Sequence, residues 1–537
     1  MTPAEPTPAK KRYLLENQQP FGQSLLWEIQ RRYYASKGVD AWRRAEVPLY
    51  VTNNPVIANS YAELVYALLR DQDRLAPSAP SKAEPIHICE LGAGSGRFAF
   101  HFLKRLQRIC EHGRAPLESF RYVLTDQAEN NLRFWREHPR FQPFFESGLL
   151  DIAPFNVNES SELSLQISGR TIAPGALERP LVVVANYLLD SIPQDLFMVN
   201  EQGFHRCLVS LVLNKDPHTL TIAEILDDLE LHYGYEPLAG DPYAEPWLKQ
   251  IFDSYRGVLT NTHLTIPATG LRCFHRLKAL SKVGLMLLSA DKGNHRLSAL
   301  DEKDMPGVVR HRSVSISVNY HAIKTHVEQT GGLALFPEAY HKSVSISCSL
   351  MLPNAADHED VRQAYRRHVV DFGPDDFYII AGHSEDHVAQ MTLHEVMAYL
   401  RLAQYDGDMF GRYVLRLIEL APAFNQQQRD SFVEASQRVW DLYLPLGENW
   451  DLAHGIGCLL YRMKEFALAL GYFEASMATY GQEAGTLLNV ALCCQNLQQW
   501  EKAKAALGKI LASEPDHKSA LELMEMCAAH EREQVSG

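Results

Sequence analysis

The chain has 537 residues, and its 52 Lys and Arg against 65 Asp and Glu give a formal net charge of −13. Hydrophobic residues at 46% and charged residues at 22% are ordinary for a chain that buries cores, which excludes a wholly disordered protein, a collagen-like fibre and a coiled-coil rod. The acidic balance argues against general nucleic-acid binding, which draws its affinity from Lys and Arg neutralising phosphates. At ~100–200 residues per domain the length predicts two to four domains.

The first 20 residues are polar and Pro-rich and are expected to form a disordered lead-in. Leu25, Ile29 and Tyr33, four residues apart, predict a helix around Ser24–Tyr34. A turn-rich connector covers Pro77 to Pro85. From Ile86 short apolar runs alternate with amphipathic helices. The runs are Ile86–Leu91, Tyr122–Thr125, Leu181–Ala185 and Gly284–Ser289, and such alternation predicts a parallel sheet covered on both faces. An acidic stretch within about 212–270 reads as an insertion over the sheet's edge, and Ser313–Val318 with Ser343–Leu352 as a hairpin-type addition closing the first domain near residue 380.

Beyond Met391 the pattern turns helical. Ala469 and Ala503 lie 34 residues apart, as do Phe473 and Leu507, Gly457 and Ala491, and Phe466 and Trp500. Ala435 extends the period upstream. This resembles tetratricopeptide repeats, in which small residues let paired helices approach and large ones fill between them. The expected division is therefore a domain over 21–380, a helical connector over 381–425 and repeats over 426–537.

The nine Cys include no Cys-x-x-Cys pair. Together with the absence of His at metal-ligand spacing, this predicts reduced thiols, no metal site and a cytoplasmic location. No signal-peptide core or 18-residue apolar run is present, so no membrane contact is expected.

The strongest chemical signal is Glu90-Leu91-Gly92-Ala93-Gly94-Ser95-Gly96, between a strand and an amphipathic helix. Glycines let a ligand approach the backbone closely. Two details speak against a dinucleotide. Arg97 stands where the third Gly of G-x-G-x-x-G belongs, and Glu90 would repel a pyrophosphate. An acid beside glycines suits a cationic, phosphate-free ligand such as S-adenosylmethionine. Asp126, closing the next strand, can accept from both ribose hydroxyls, though it also reads as a helix cap. Asn156 is a candidate reader of the adenine edge, in competition with Asn158. After Leu181–Ala185, Asn186, Tyr187 and Asp190 reach the sheet's C-terminal edge, where ligands bind in open α/β folds. Asn186 has a plain capping role as its alternative.

In order along the chain, these motifs resemble the MidA-like methyltransferases over roughly residues 20–350. Thr52–Ile57 is similar to the family's T-S/A-P-E-I-S segment, Glu90–Gly96 to E-L-G-x-G-x-G, and Asn186–Pro193 to N-E-x-F/L-D-x-L/I-P. Gln202-Gly203-Phe204 resembles Q-G-W, and Asp291-Lys292-Gly293 resembles D-Y-G. The resemblance implies a Rossmann-like class I methyltransferase sheet, S-adenosyl-L-methionine as cofactor held by Glu90, Gly92, Gly94, Gly96, Asp126 and Asn156, and Asp190, Asn186 and Tyr187 at the reacting end. The family includes mitochondrial complex I assembly factors that methylate a protein arginine. Tyr187, Cys207 and Asn319 stand where that family has acids, and Lys292 stands where it has Tyr. Fewer acids weaken an arginine assignment, since carboxylates hold a guanidinium. The expected function is thus methylation of a protein nitrogen, with the repeats recruiting the protein. A non-catalytic scaffold, or a small-molecule methyltransferase whose repeats form a homodimer, stays open.

Overall fold

Leu181-Val182-Val183-Val184-Ala185 has no polar break, as a strand covered on both faces requires, and all of it is buried. In the computed structural model, which describes residues 12–44, 50–75, 84–113, 115–305, 309–310, 313–338 and 343–536, this strand is the centre of a seven-stranded sheet. Across the sheet the order is Leu333–Leu335, Ser345–Met351, Leu285–Asp291, Leu181–Asn186, Ile86–Glu90, Phe120–Asp126 and Leu150–Pro154. Ser345–Met351 runs antiparallel to both of its neighbours, and the pairs from Leu285–Asp291 to Leu150–Pro154 are parallel. The chain reverses its direction of travel between Ile86–Glu90 and Leu181–Asn186. That is a topological switch point, where an open α/β sheet leaves a crevice. The Rossmann-like sheet read from the sequence is present.

Helix Arg97–His112 follows the first of these strands and buries Phe98, Phe102 and Leu106. The expected helix near residue 25 is Leu25–Lys37, capped by Ser24. Ile29 and Tyr33 are buried, but Leu25 faces solvent, so the inward stripe is centred one residue further on, at Leu26.

Three expectations need correction. Tyr13–Pro20 is not a disordered lead-in; it is a strand antiparallel to Gly203–Leu213. Gln18 N–H donates to Ser210 Oγ at 3.0 Å. Pairing at a sheet edge uses backbone groups, so polar side chains do not prevent it. The insertion read as lying over the sheet's edge carries strands of a sheet of its own. With Asp195–Asn200, Gly203–Leu213 and Tyr13–Pro20, the strands Glu230–Pro237 and Thr262–Ile266 build a second, five-stranded sheet. The hairpin of Ser313–Val318 with Ser343–Leu352 does not form. Ser345–Met351 instead pairs with Leu285–Asp291 and Leu333–Leu335 inside the main sheet. Most of the Pro77–Pro85 connector lies outside the described residues.

The chain divides into two compact units at Asp375 and Asp376. In the second, no strand occurs among the described residues. Leu452–Arg462 packs on Phe466–Tyr480, and Ala484–Asn496 on Trp500–Ser513. The 34-residue period read from side chains recurs in the backbone. Lys464 and Gln498 both turn left-handed, at φ +68° and +59°. Glu465 N–H bonds Leu460 O, and Gln499 N–H bonds Cys494 O. A Cβ on Gly457 would lie 2.7 Å from the Phe473 ring, so that glycine sets the approach of its helix pair.

Candidate active site

Two loops leave the sheet at the switch point, one after Glu90 and one after Asn186. They bound a cleft of about 350 Å³. Gly92, Ala93, Gly94 and Ser95 line it on one side, Asn186, Tyr187 and Leu188 on the other. Gly94 has φ +56° and Gly96 φ +74°. A Cβ would fall 2.6 Å from the Trp42 ring at Gly94 and 2.9 Å from Trp135 Nε1 at Gly96, so both positions require glycine for space as well as for φ. Trp135 Nε1–H donates to Gly94 O at 3.1 Å, pinning the loop from behind. Gly96 does not line the cleft; it caps helix Arg97–His112.

Glu90 closes its strand at the cleft floor, buried, and Tyr122 Oη donates to its Oε2 at 2.9 Å. Burial pushes the Glu90 carboxyl up to about 8; the Tyr122 bond opposes this and the nearby Asp126 charge adds to it. A cation bound in the cleft would favour the ionised form.

Asp126 lines the cleft and does two jobs at once. Its Oδ2 accepts from Gly94 N–H at 3.1 Å and from Asn131 Nδ2 at 2.9 Å, while Oδ1 accepts from Ala128 N–H at 2.9 Å. The turn-capping role and the cleft-facing role meet in one carboxylate. Asn156 is placed differently. Its side-chain oxygen accepts from Asn158 N–H at 3.0 Å in a local turn, and it does not line the cleft, whereas Phe155, Val157 and Asn158 do.

At the other loop, Tyr61 Oη donates to Asn186 Oδ1 at 2.9 Å. Tyr187 lines the cleft with φ +47°, a left-handed conformation that disfavours a bulky side chain. Asp190 is not on the cleft wall. It is buried and hydrogen-bonded to the carboxyl of Asp291, which closes the next strand. Burial raises both carboxyls, Asp190 to about 6 and Asp291 further, and the charge of Asp190 pushes Asp291 up again. Asp291 Oδ2 also accepts from Leu189 N–H at 3.3 Å, so the pair clamps the loop after Asn186 to the neighbouring strand end.

Helix Leu25–Lys37 contributes Trp27, Arg31 and Tyr34 to the mouth of the cleft, and Trp42 stacks on Tyr34 with ring centroids 6.2 Å apart. Their i, i+4, i+7 spacing is visible in sequence as a second face of the helix. Glu28 lies there too, bonded to Arg31 at 2.7 Å and to Arg32 at 2.8 Å, and these bonds hold its carboxyl below the usual range. Two of the altered family acids are remote from the cleft. Cys207 is buried in the core of the second sheet. Asn319 caps helix Tyr320–Gln329 through Ala322 N–H at 3.0 Å. Only Tyr187 among the three lines the cleft, so the departures bear on the substrate less than the sequence alone implies.

The donor set fits a cationic, phosphate-free nucleoside. Two carboxyls, Glu90 and Asp126, face the glycine loop, and Arg31 is the one Lys or Arg among the described lining residues. Residues 67–289 match the model of the family described as "Putative S-adenosyl-L-methionine-dependent methyltransferase". With this match, the switch-point cleft and the sheet order, the protein is an S-adenosyl-L-methionine-dependent methyltransferase, and S-adenosyl-L-methionine is its cofactor.

Solved structures share the likeness weakly. A Burkholderia thailandensis protein bound to S-adenosyl-homocysteine is 15% identical, with 59% of this chain and 74% of that one covered at a TM-score of 0.37. A native structure of a protein of the same superfamily from Burkholderia thailandensis is 14% identical, covering 64% and 90% at 0.38. An O-methyltransferase family protein from that organism is 10% identical, covering 61% and 70% at 0.24. No curated protein matches the chain. Among the described residues, no helix is long and apolar enough to cross a membrane.

Proposed function

We propose that this enzyme methylates a nitrogen nucleophile on a protein side chain, arginine or another amine, and that the 34-residue repeats recruit the protein. The observation that carries this reading is the mouth of the cleft. Trp27, Tyr34 and Trp42 line it with aromatic rings, with Glu28 as the acid among them. Aromatic faces attract cationic nitrogen, and a carboxylate orients it. A substrate guanidinium or ammonium would compete with Arg31 for Glu28.

Gly92–Ser95, Glu90 and Asp126 would hold the cofactor. S-adenosyl-L-methionine supplies, when bound, an electrophilic methyl group on a sulfonium. The chain's part is to bring the nitrogen to it in line, a contribution of proximity and orientation. Asn186 and Tyr187 line the wall where the two ligands meet. Asp190 acts through the loop it clamps and is a positioning residue. Tyr187, in place of the Glu of the resembling family, is the one feature that favours a non-catalytic scaffold.

Tritiated S-adenosyl-L-methionine and cell lysate test the reading. Label is expected on protein with the native chain and not with Asp126→Ala. Label on small molecules alone would overturn the protein substrate, and no label would support the scaffold.

A further inference from the structure

One residue past Asp291 a second groove opens, with a volume of about 600 Å³. Lys292, Arg296 and Lys303 line it, together with the hydroxyl-bearing Ser317, Ser343 and Ser345. No Asp or Glu is among the described residues that line it. In a chain of net charge −13, such a one-signed groove is a local reversal. Lys292 and Lys303 have no carboxylate within 4.0 Å among the described residues. Glu302 and Asp304 flank Lys303 in sequence, and the Lys292 charge acts to lower the buried Asp190 carboxyl, while two further acids of this region are held by backbone groups. Asp375 accepts the backbone N–H groups of Ser343 and Val344 at 3.0 and 3.1 Å, and Asp301 accepts those of Thr260 and Asn261 at 3.2 and 3.4 Å. Lys292 is anchored at its backbone, where its carbonyl accepts from Val318 N–H at 2.8 Å. It is also the Lys that replaces Tyr in the D-Y-G pattern, so the groove's first cation is a feature of this sequence rather than of that pattern.

We infer that this groove binds the phosphate group of a phosphorylated small molecule. Clefts lined by one sign of charge focus the field and concentrate counter-ions. Three cationic heads with nearby hydroxyls match the several acceptor oxygens of a phosphate better than one carboxylate. The groove lies past the C-terminal end of a parallel strand, on the sheet edge that binds ligands, and its volume is that of a small-molecule site. It stands apart from the glycine loop, so the inference does not rest on the proposed substrate.

Isothermal titration of the full chain with sodium pyrophosphate, at ionic strength held constant with sodium chloride, tests it. Saturable binding is expected, weakened about tenfold or more by Lys292→Glu with Lys303→Glu, the loss of one or two charge-assisted hydrogen bonds. Lys502→Glu with Lys509→Glu, an equal charge change in the second unit, should leave the affinity unchanged. S-adenosyl-homocysteine titrated into the same samples reports folding and the cofactor cleft separately, and Lys292→Gln with Lys303→Gln serves if charge reversal unfolds the chain. Absence of saturable pyrophosphate binding, equal loss in both charge-reversed variants, or tighter binding of a phosphoserine peptide than of pyrophosphate would overturn the inference.

Discussion

Tyr61 Oη donates to Asn186 Oδ1 at 2.9 Å, and this bond decides which end of the amide is left for a ligand. Asn186 Nδ2 is buried without a hydrogen-bond partner. Buried polar groups are normally paired, and an orphan in a binding cleft is a group waiting for its ligand. Tyr61 itself is fully buried on helix Pro55–Leu75, so the amide is oriented from outside both loops of the cleft.

Tyr61→Phe should therefore separate binding from turnover. The fold should lose about 0.5–1.5 kcal/mol for one buried hydrogen bond. Affinity for S-adenosyl-homocysteine should hold while kcat falls, because the amide can then rotate. Equal loss of cofactor affinity would place Asn186 on the cofactor side instead.

Glu90 gives cofactor binding a pH dependence. Its carboxyl sits near pH 8 in the free protein because burial disfavours the charge. A cationic ligand needs it ionised, so affinity should fall as pH drops from 9 to 7, approaching tenfold per unit below the midpoint. In Glu90→Gln the curve should flatten at the weaker level. A slope that survives the substitution would assign the effect to another group.

The Asp190–Asp291 pair predicts how stability changes with pH. A carboxyl whose folded pKa is raised holds its proton in the folded state after the unfolded chain has lost it, so stability falls as pH rises from ~4 towards Asp190's midpoint near 6. Asp291→Asn replaces the titrating carboxyl beside Asp190 with an amide that cannot ionise, so the decline should shrink. Asp291→Ala leaves Asp190 with an unmet acceptor and should destabilise by about 1–3 kcal/mol. Urea denaturation at pH 5, 6 and 7 measures both.

In the helical unit, Ala469 and Ala503 are buried at equivalent positions. Leu at either should overpack the helix pair at a cost of about 1–3 kcal/mol. Calorimetry should show the loss in the transition of residues 376–537, with S-adenosyl-homocysteine affinity unaltered.

How much of this was legible in the sequence follows from distance along the chain. Glu90, the glycines and Asp126 sit at strand ends, and strand ends announce themselves by local pattern. Trp42 lines the cleft and Tyr61 bonds Asn186 from helices that precede the first strand of the main sheet, and no local spacing reports that. Asp190 reads from sequence as a cleft residue because it follows Asn186 at the sheet edge, yet the loop turns at Tyr187 and directs it to Asp291. Tyr13–Pro20 carries no local strand signal because its strand depends on a backbone partner almost two hundred residues on, and Gln18 bonds Ser210 at a separation of 192.

Those separations also order the assembly of the site in time. Gly94 and Asp126 are joined across 32 residues, Leu189 and Asp291 across 102, and Tyr61 and Asn186 across 125. Loop closure costs more the longer the span, and distant pairings form late. The bond between Gly94 and Asp126 spans the shortest stretch, although Leu91 N–H in the same loop also bonds Val184 O. The loop after Asn186 can be clamped only once the strand ending at Asp291 has been made.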